Sequence, residues 1–275
     1  MAPEIEFTFL APIGRRVILV VRETGLLILQ LWATIRRLPR VLPIVGGRRR
    51  WQQAVQQMFA IGVSALPIVG MMSFCLGLVL TLEGAADLGR FGILKFVIPL
   101  VAASFTRELG ALVTGVAVSS RAASAIAAEI GTMRVTGQLD ALLLKGISPI
   151  DFALAPKLVG ALITIPCLAI LSTVCGLFAG YLFLSLTVGI NAGIYSGVVF
   201  EAIQLRDVWI MLIKSAVFAT IIVQVGYFEG VRVSGGPEAV GQAATFAVLK
   251  STFLVIVADL GAAFFFYLMG WSSVG

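Results

Sequence analysis

Histidine is absent from this 275-residue chain. Without it there is no zinc site of the HExxH kind, and neither a Ser-His nor a Cys-His nucleophile can be assembled. Charge is also scarce: Asp, Glu, Lys and Arg make up 12% of the residues, against about 25% in a soluble domain. With 59% hydrophobic residues and a mean hydropathy of +1.04, the chain belongs in a bilayer. Cysteine is limited to Cys75, Cys167 and Cys175, all in apolar segments. The last two would stand about 12 Å apart along one helix, too far to bridge, so they read as packing residues and say nothing of redox compartment. There is no GxxxxGK[ST] loop, so any ATP must be hydrolysed by another subunit.

The net charge of +6 and pI near 9.6 could suggest a nucleic-acid partner. The basic residues, however, crowd before Trp51 and recur in only some later loops, which is the topology signal of an integral membrane protein. No nucleic-acid binding is expected.

The chain reads as all-α. Residues 1–50 form an interfacial amphipathic helix and a basic linker, and 51–275 form the membrane domain. From Arg15 to Arg37 the apolar run is broken, with Arg15, Arg22, Leu26, Gln30, Ala33 and Arg37 on one stripe. That pattern fits a helix lying in the interface; the alternative is a first membrane helix with a snorkelling arginine. Residues 36–50, punctuated by Pro39, Pro43, Gly46 and Gly47, predict a linker on the anionic inner leaflet.

Five spans are expected at about 53–82, 91–118, 152–188, 207–228 and 243–269, each long enough to cross. The loops between them include 83–90, a glycine-bearing linker at 189–205 and a turn at Gly235-Gly236-Pro237. Pro67 and Gly70 are expected to kink the first span. Gly176 and Gly180 stand at GxxxG spacing, which permits either a dimer contact or tight packing within the chain. The Lys and Arg distribution puts the N-terminus inside and the C-terminus outside.

Arg107, Glu108, Lys214 and Asp259 fall inside predicted spans. At a helix centre each costs roughly 2.5–3.5 kcal/mol, so they should face the bundle interior and pair with one another. They form either a fixed ion-pair network or groups that switch partners during transport. A Ser-Lys hydrolase at Lys214 and Ser215 is disfavoured, because adjacent residues on a helix do not face each other. The run from Ala122 to Ala128 permits close packing, and Gly131 should end or bend that helix. Beyond it Val135, Leu139 and Leu142 predict an apolar face, with Arg134, Gln138 and Lys145 on another side. Such a helix can rest on the membrane domain and present its other face to a cytoplasmic partner.

The stretch RELGALVTGVAVSSRAASAIAAEIGTMRVTGQLDALLLKGISPIDFALAPK, with LIKSAVFA around Lys214 and VADL at Asp259, resembles the signature of the MlaE/YrbE permeases, the membrane subunits of MCE-type ABC lipid transporters. It departs from the family's usual form at Ala111, at Gly137 where a glutamate is common, and at Gly146-Ile147-Ser148-Pro149. The resemblance implies a multi-pass homodimer in the bacterial inner membrane with two ABC ATPase subunits and a periplasmic MCE-domain protein. It also implies phospholipid in a cavity between the permeases. No cofactor would be bound by this chain, since ATP and Mg would sit on the ATPases. By the same resemblance 129–144 contains a coupling helix between the second and third spans, with Glu129, Arg134, Thr136, Gln138 and Asp140 at the ATPase. The lipid cavity would be lined by Ser73, Leu76, Leu80 and Glu83, with Phe91 and Leu109.

The function expected is thus the permease of an ATP-driven phospholipid transporter between the inner and outer membranes of a diderm bacterium. The alternative is a secondary transporter or proton-coupled channel using Glu108, Lys214 and Asp259 as a relay. A third class is a membrane scaffold that transports nothing.

Overall fold

The computed structural model describes residue 22, residues 25–27, 29–34 and 36, and residues 43–270. Most of the predicted interfacial helix lies outside the described residues. A short apolar helical stretch at Gly25–Thr34 is seen, and Gln30 there donates to the Gln224 side-chain oxygen at 2.6 Å.

Among the described residues nine further α-helices follow: α1 Pro43–Arg90, α2 Val97–Ser104, α3 Gly110–Val118, α4 Ser124–Val135, α5 Gln138–Leu144, α6 Ala155–Thr187, α7 Ala192–Ala202, α8 Leu205–Val231 and α9 Pro237–Leu268. Single π turns at Phe105–Leu109 and Ser119–Ala123 join α2, α3 and α4 into one rod, and a third at Ile150–Leu154 leads into α6. Among the described residues five helical segments are long and apolar enough to cross a membrane: Trp51–Arg90, Leu94–Val135, Ile150–Thr187, Leu205–Val231 and Pro237–Leu268. The protein is a multi-pass membrane protein.

Several expected loops are helical instead. The predicted linker at 43–50 begins α1, because Pro43 stands at the helix start, where its missing N–H costs nothing and its fixed φ suits the turn. The predicted loop at 83–90 continues α1, since Ala85 and Leu88 pack on the rod that follows. The chain reverses only at Gly92, with φ +72°. There the Gly92 amide donates to the Gly89 carbonyl and the Ile93 amide to the Leu88 carbonyl, a left-handed glycine cap. At 48 residues α1 is about 72 Å long and overshoots any bilayer.

The linker expected at 189–205 folds into α7. The Asn191 side chain accepts from the Gly193 amide at 3.0 Å, capping the helix, and Tyr195 and Val199 are buried against α2 and α6.

In lipid, helices associate through close packing rather than through a hydrophobic drive. A side chain at Gly77 of α1 would run into the Gly176 backbone of α6, and one at Gly180 would meet the Thr81 hydroxyl and Tyr195. The GxxxG pair is therefore a contact within one chain. A second small-residue seam joins α4 to α8, where Gly226 and Gly230 leave room for Ile126, Ile130 and the backbone of Ala123 and Ala127. Gly131 lies inside α4 and packs under Val233 and Val240 instead of ending the helix. The three middle spans are the core, with 50%, 50% and 56% of their apolar stretches buried, whereas the first and fifth, at 22% and 11%, present most of their surface outward.

Candidate functional site: intramembrane ion pairs and the elbow at Gly137

Arg107 and Glu108 sit side by side in the first π turn, FTREL. A π turn inserts an extra residue and re-aims the side chains on either side of it. Neighbouring residues on a helix point about 100° apart, so the two reach different partners. Glu108 Oε2 accepts from Lys214 Nζ on α8 at 2.5 Å, and the same Nζ donates to Asp259 Oδ1 on α9 at 3.1 Å. The Lys214 side chain is 1% exposed while Glu108 is 43% exposed, so the triad is closed at the lysine and open at one carboxylate. Its formal charge is −1, from one ammonium and two carboxylates.

Arg107 does not join that triad. Its Nε donates to Asp207 Oδ2 at 3.1 Å. Asp207, in the first turn of α8, is almost fully buried, and its other oxygen has no hydrogen-bond partner. The predicted four-residue network is thus two neighbouring sites, and Asp207 is the partner missed in sequence. An acid in the first turn of a helix is ordinary dipole compensation, so nothing set it apart.

Two more ion pairs tie helices together. Lys157 of α6, 2% exposed, donates to Glu129 Oε2 of α4 at 2.7 Å and to Gln57 Oε1 of α1 at 3.3 Å. Lys250 of α9 donates to Glu229 of α8 at 2.8 Å.

The predicted coupling segment bends at Gly137, whose φ is +72°. Thr136 ends the long rod, its hydroxyl donating to the Thr132 carbonyl at 2.8 Å, and Gln138 opens α5. Arg134 and Asp140 face each other across the bend at 2.8 Å. Gly146, at φ +70°, closes α5 with the same left-handed cap: the Gly146 amide reaches the Leu143 carbonyl and the Ile147 amide the Leu142 carbonyl. The bend puts Val135 on a different helix from Leu139 and Leu142, so the predicted continuous face does not form. Leu139 alone is buried, while Leu143 and Leu144 are bare. Gln138 shares a cleft of about 230 Å³ with Met133, Leu142, Lys145 and Phe152.

The six predicted cavity residues lie apart. Ser73 is buried and shares a 2.6 Å hydroxyl hydrogen bond with Ser172 of α6. Leu80 and Leu109 pack against the cluster at the α7 end. Leu76 and Phe91 are exposed apolar residues, and Glu83 is exposed. None of them lines an apolar cleft of about 520 Å³ between α6, α7 and α8, whose walls include Leu177, Tyr181, Val199 and Met211. The Tyr195 hydroxyl at its edge donates to the Leu177 carbonyl at 2.8 Å, and burial pushes its pKa up to about 12.

Residues 54–265 match the family model described as "Permease MlaE". A probable ABC transporter permease protein of Rickettsia bellii is 33% identical over 90% of this chain and 93% of its own. One from Synechocystis is 34% identical over 79% of this chain and 83% of its own. The intermembrane phospholipid transport system permease protein MlaE of Haemophilus influenzae is 29% identical over 91% and 94%. The match takes in the three middle spans whole and most of the first and fifth, with both intramembrane ion sites and the elbow, and on that extent the chain belongs to the MlaE permease family.

Proposed function

We propose that this chain is the membrane subunit of an ATP-driven phospholipid transporter working between the inner and outer membranes of a diderm bacterium. Two copies enclose a lipid cavity that opens toward the periplasm. Two ABC ATPases, which hold ATP and Mg, dock from the cytoplasm, and an MCE-domain protein caps the outer side. The N-terminus is cytoplasmic and the C-terminus periplasmic.

The observation that carries this reading is the elbow. Helix α5 is bounded by two left-handed glycines, is anchored through Leu139, and leaves Leu144 90% exposed. A short helix with a bare apolar end fits a groove on a partner protein. Arg134, Thr136, Gln138 and Asp140 are the docking residues, and Glu129 braces the rod to α6 through Lys157. ATP binding draws the ATPases together, the elbows follow, and the rod carries the motion to the ion pairs at Asp207 and Lys214. The outward surface of the first span, with Leu76 and Glu83 exposed on it and Phe91 just past its end, is the candidate cavity wall, and Ser73, Leu80 and Leu109 pack behind it. The likeness to the intermembrane phospholipid transport system permease of Haemophilus influenzae supports phospholipid as cargo.

The test is co-expression with the neighbouring genes, purification in nanodiscs, and identification of co-purifying proteins and lipids. Wild type should retain an ATPase, an MCE-domain protein and phospholipid. Asp140→Arg should lose the ATPase and lipid-stimulated ATP hydrolysis while keeping the five-span fold. A chain that purifies alone, and that added ATPase does not bind, would sink the reading. The alternative of a proton-coupled transporter has support in the open carboxylate of Glu108; it requires Glu108→Gln to abolish a pH-dependent flux that persists without any ATPase.

A further inference from the structure

A cleft of about 260 Å³ opens between α1, α4 and α6, with polar walls from Gln57, Ser64, Arg121, Glu129 and Lys157. It lies in the half of the bundle nearest the elbow, since Glu129 is two turns before Gly137 and Lys157 is near the start of α6. Arg121 occupies the second π turn, inside a segment apolar enough to cross a membrane. Its side chain is exposed, and among the described residues it has neither ion pair nor hydrogen bond. Its charge is therefore left for an anion or water to answer.

Three donors converge there. Arg121 brings a guanidinium with five N–H groups. Lys157 spends two protons on Glu129 and Gln57 and keeps a third. Gln57, whose oxygen is held by that lysine, has its amide NH₂ left to donate. Glu129 cancels Lys157, so Arg121 leaves the cleft with one positive charge, the complement of a phosphodiester. The remaining walls are small, at Ala60, Ala122 and Ala125, and the volume equals roughly eight or nine waters at about 30 Å³ each. That is room for a phosphate group and its first substituents. Ile61 and Ile126 share the lining in rods that cross the bilayer, which favours a phosphate tethered to acyl chains.

We propose that this cleft binds the phosphodiester of a membrane-lipid headgroup, with Arg121 as charge partner and Lys157 and Gln57 as further donors. The proposal builds on the phospholipid reading above by assigning the headgroup a site outside the predicted cavity.

Native mass spectrometry of the full chain in detergent tests it, with three probes: dioctanoyl phosphatidylglycerol, dioctanoylglycerol and inorganic phosphate. Arg121→Gln should weaken the phospholipid about tenfold or more and leave dioctanoylglycerol unchanged, while Arg121→Lys should retain most of the affinity. Ala125→Leu, which fills the cleft without changing its charge, should also lose the phospholipid. Phospholipid binding equal to wild type in Arg121→Gln would overturn the proposal. Inorganic phosphate binding as tightly as the lipid would overturn it in favour of a soluble-anion site. A change of oligomeric state in the same spectra, with lipid binding unaltered, would overturn it in favour of a protein contact. If reconstituted transport fails while Arg121-dependent binding persists, the headgroup site stands and the transport reading falls; the converse removes only this site.

Discussion

At the scale of single residues, the decisive feature is that one buried cation serves two carboxylates from different helices. Lys214 is held by Glu108 and Asp259, so removing it leaves two acids facing each other with nothing between them. Breaking a buried pair from one side costs about 3–5 kcal/mol. Lys214→Met should therefore lower the melting temperature in detergent more than Glu108→Gln does, because Glu108 is half open and its loss leaves Lys214 paired with Asp259. Equal shifts for the two variants would show that the triad does not hold the helices. Arg107 and Glu108 were legible as intramembrane charges, since neither could lie at a span end. Their division between two partners was not, because it depends on a π turn that has no local signature.

At the scale of helices, glycine acts in two different ways. Gly92, Gly137 and Gly146 take positive φ and turn the chain, whereas Gly77 and Gly176 take ordinary helical angles and let backbones touch. Gly77→Val would drive a side chain into the Gly176 backbone, and overpacking of this kind costs typically 1–3 kcal/mol or more. Two turns away, Gly70 meets only the Cys175 sulfur, at 3.9 Å, so Gly70→Val should be tolerated. Loss of monodisperse protein on gel filtration for Gly77→Val but not for Gly70→Val is the expected outcome. Identical behaviour would mean that α1 can slide on α6. The expected break at Gly131 and the observed bend at Gly137 are the same residue type six positions apart. Only the packing of Val233 and Val240 over the first tells them apart.

At the scale of the whole molecule, three core spans are flanked by two that bury little of their apolar surface. α5 and α7 stand at opposite ends of the bundle, because the odd number of crossings between them requires it. Cysteine labelling follows from this. In a background lacking the three native cysteines, Leu144→Cys should react with an impermeant maleimide only after cells are lysed, and Phe200→Cys should react in intact, outer-membrane-permeabilised cells. Both residues are strongly exposed, so reaction of the reverse pair would invert the proposed orientation, and reaction of both in intact cells would contradict the five-span path.

The membrane class, the all-helical fold and the number of spans were determined by the amino-acid sequence alone. Crossing a bilayer demands about 20 apolar residues with their backbone satisfied internally, and that demand is written in composition and length. The tertiary structure decided where the helices stop, because a helix continues through a polar stretch when a neighbour covers it, as Ala85 and Leu88 are covered beyond the first span. It also decided that Asp207 answers Arg107 and that Lys157 bridges α1, α4 and α6. Those pairings join residues about a hundred positions apart, or on three separate helices. Only the packing of the bundle brings their charges within reach.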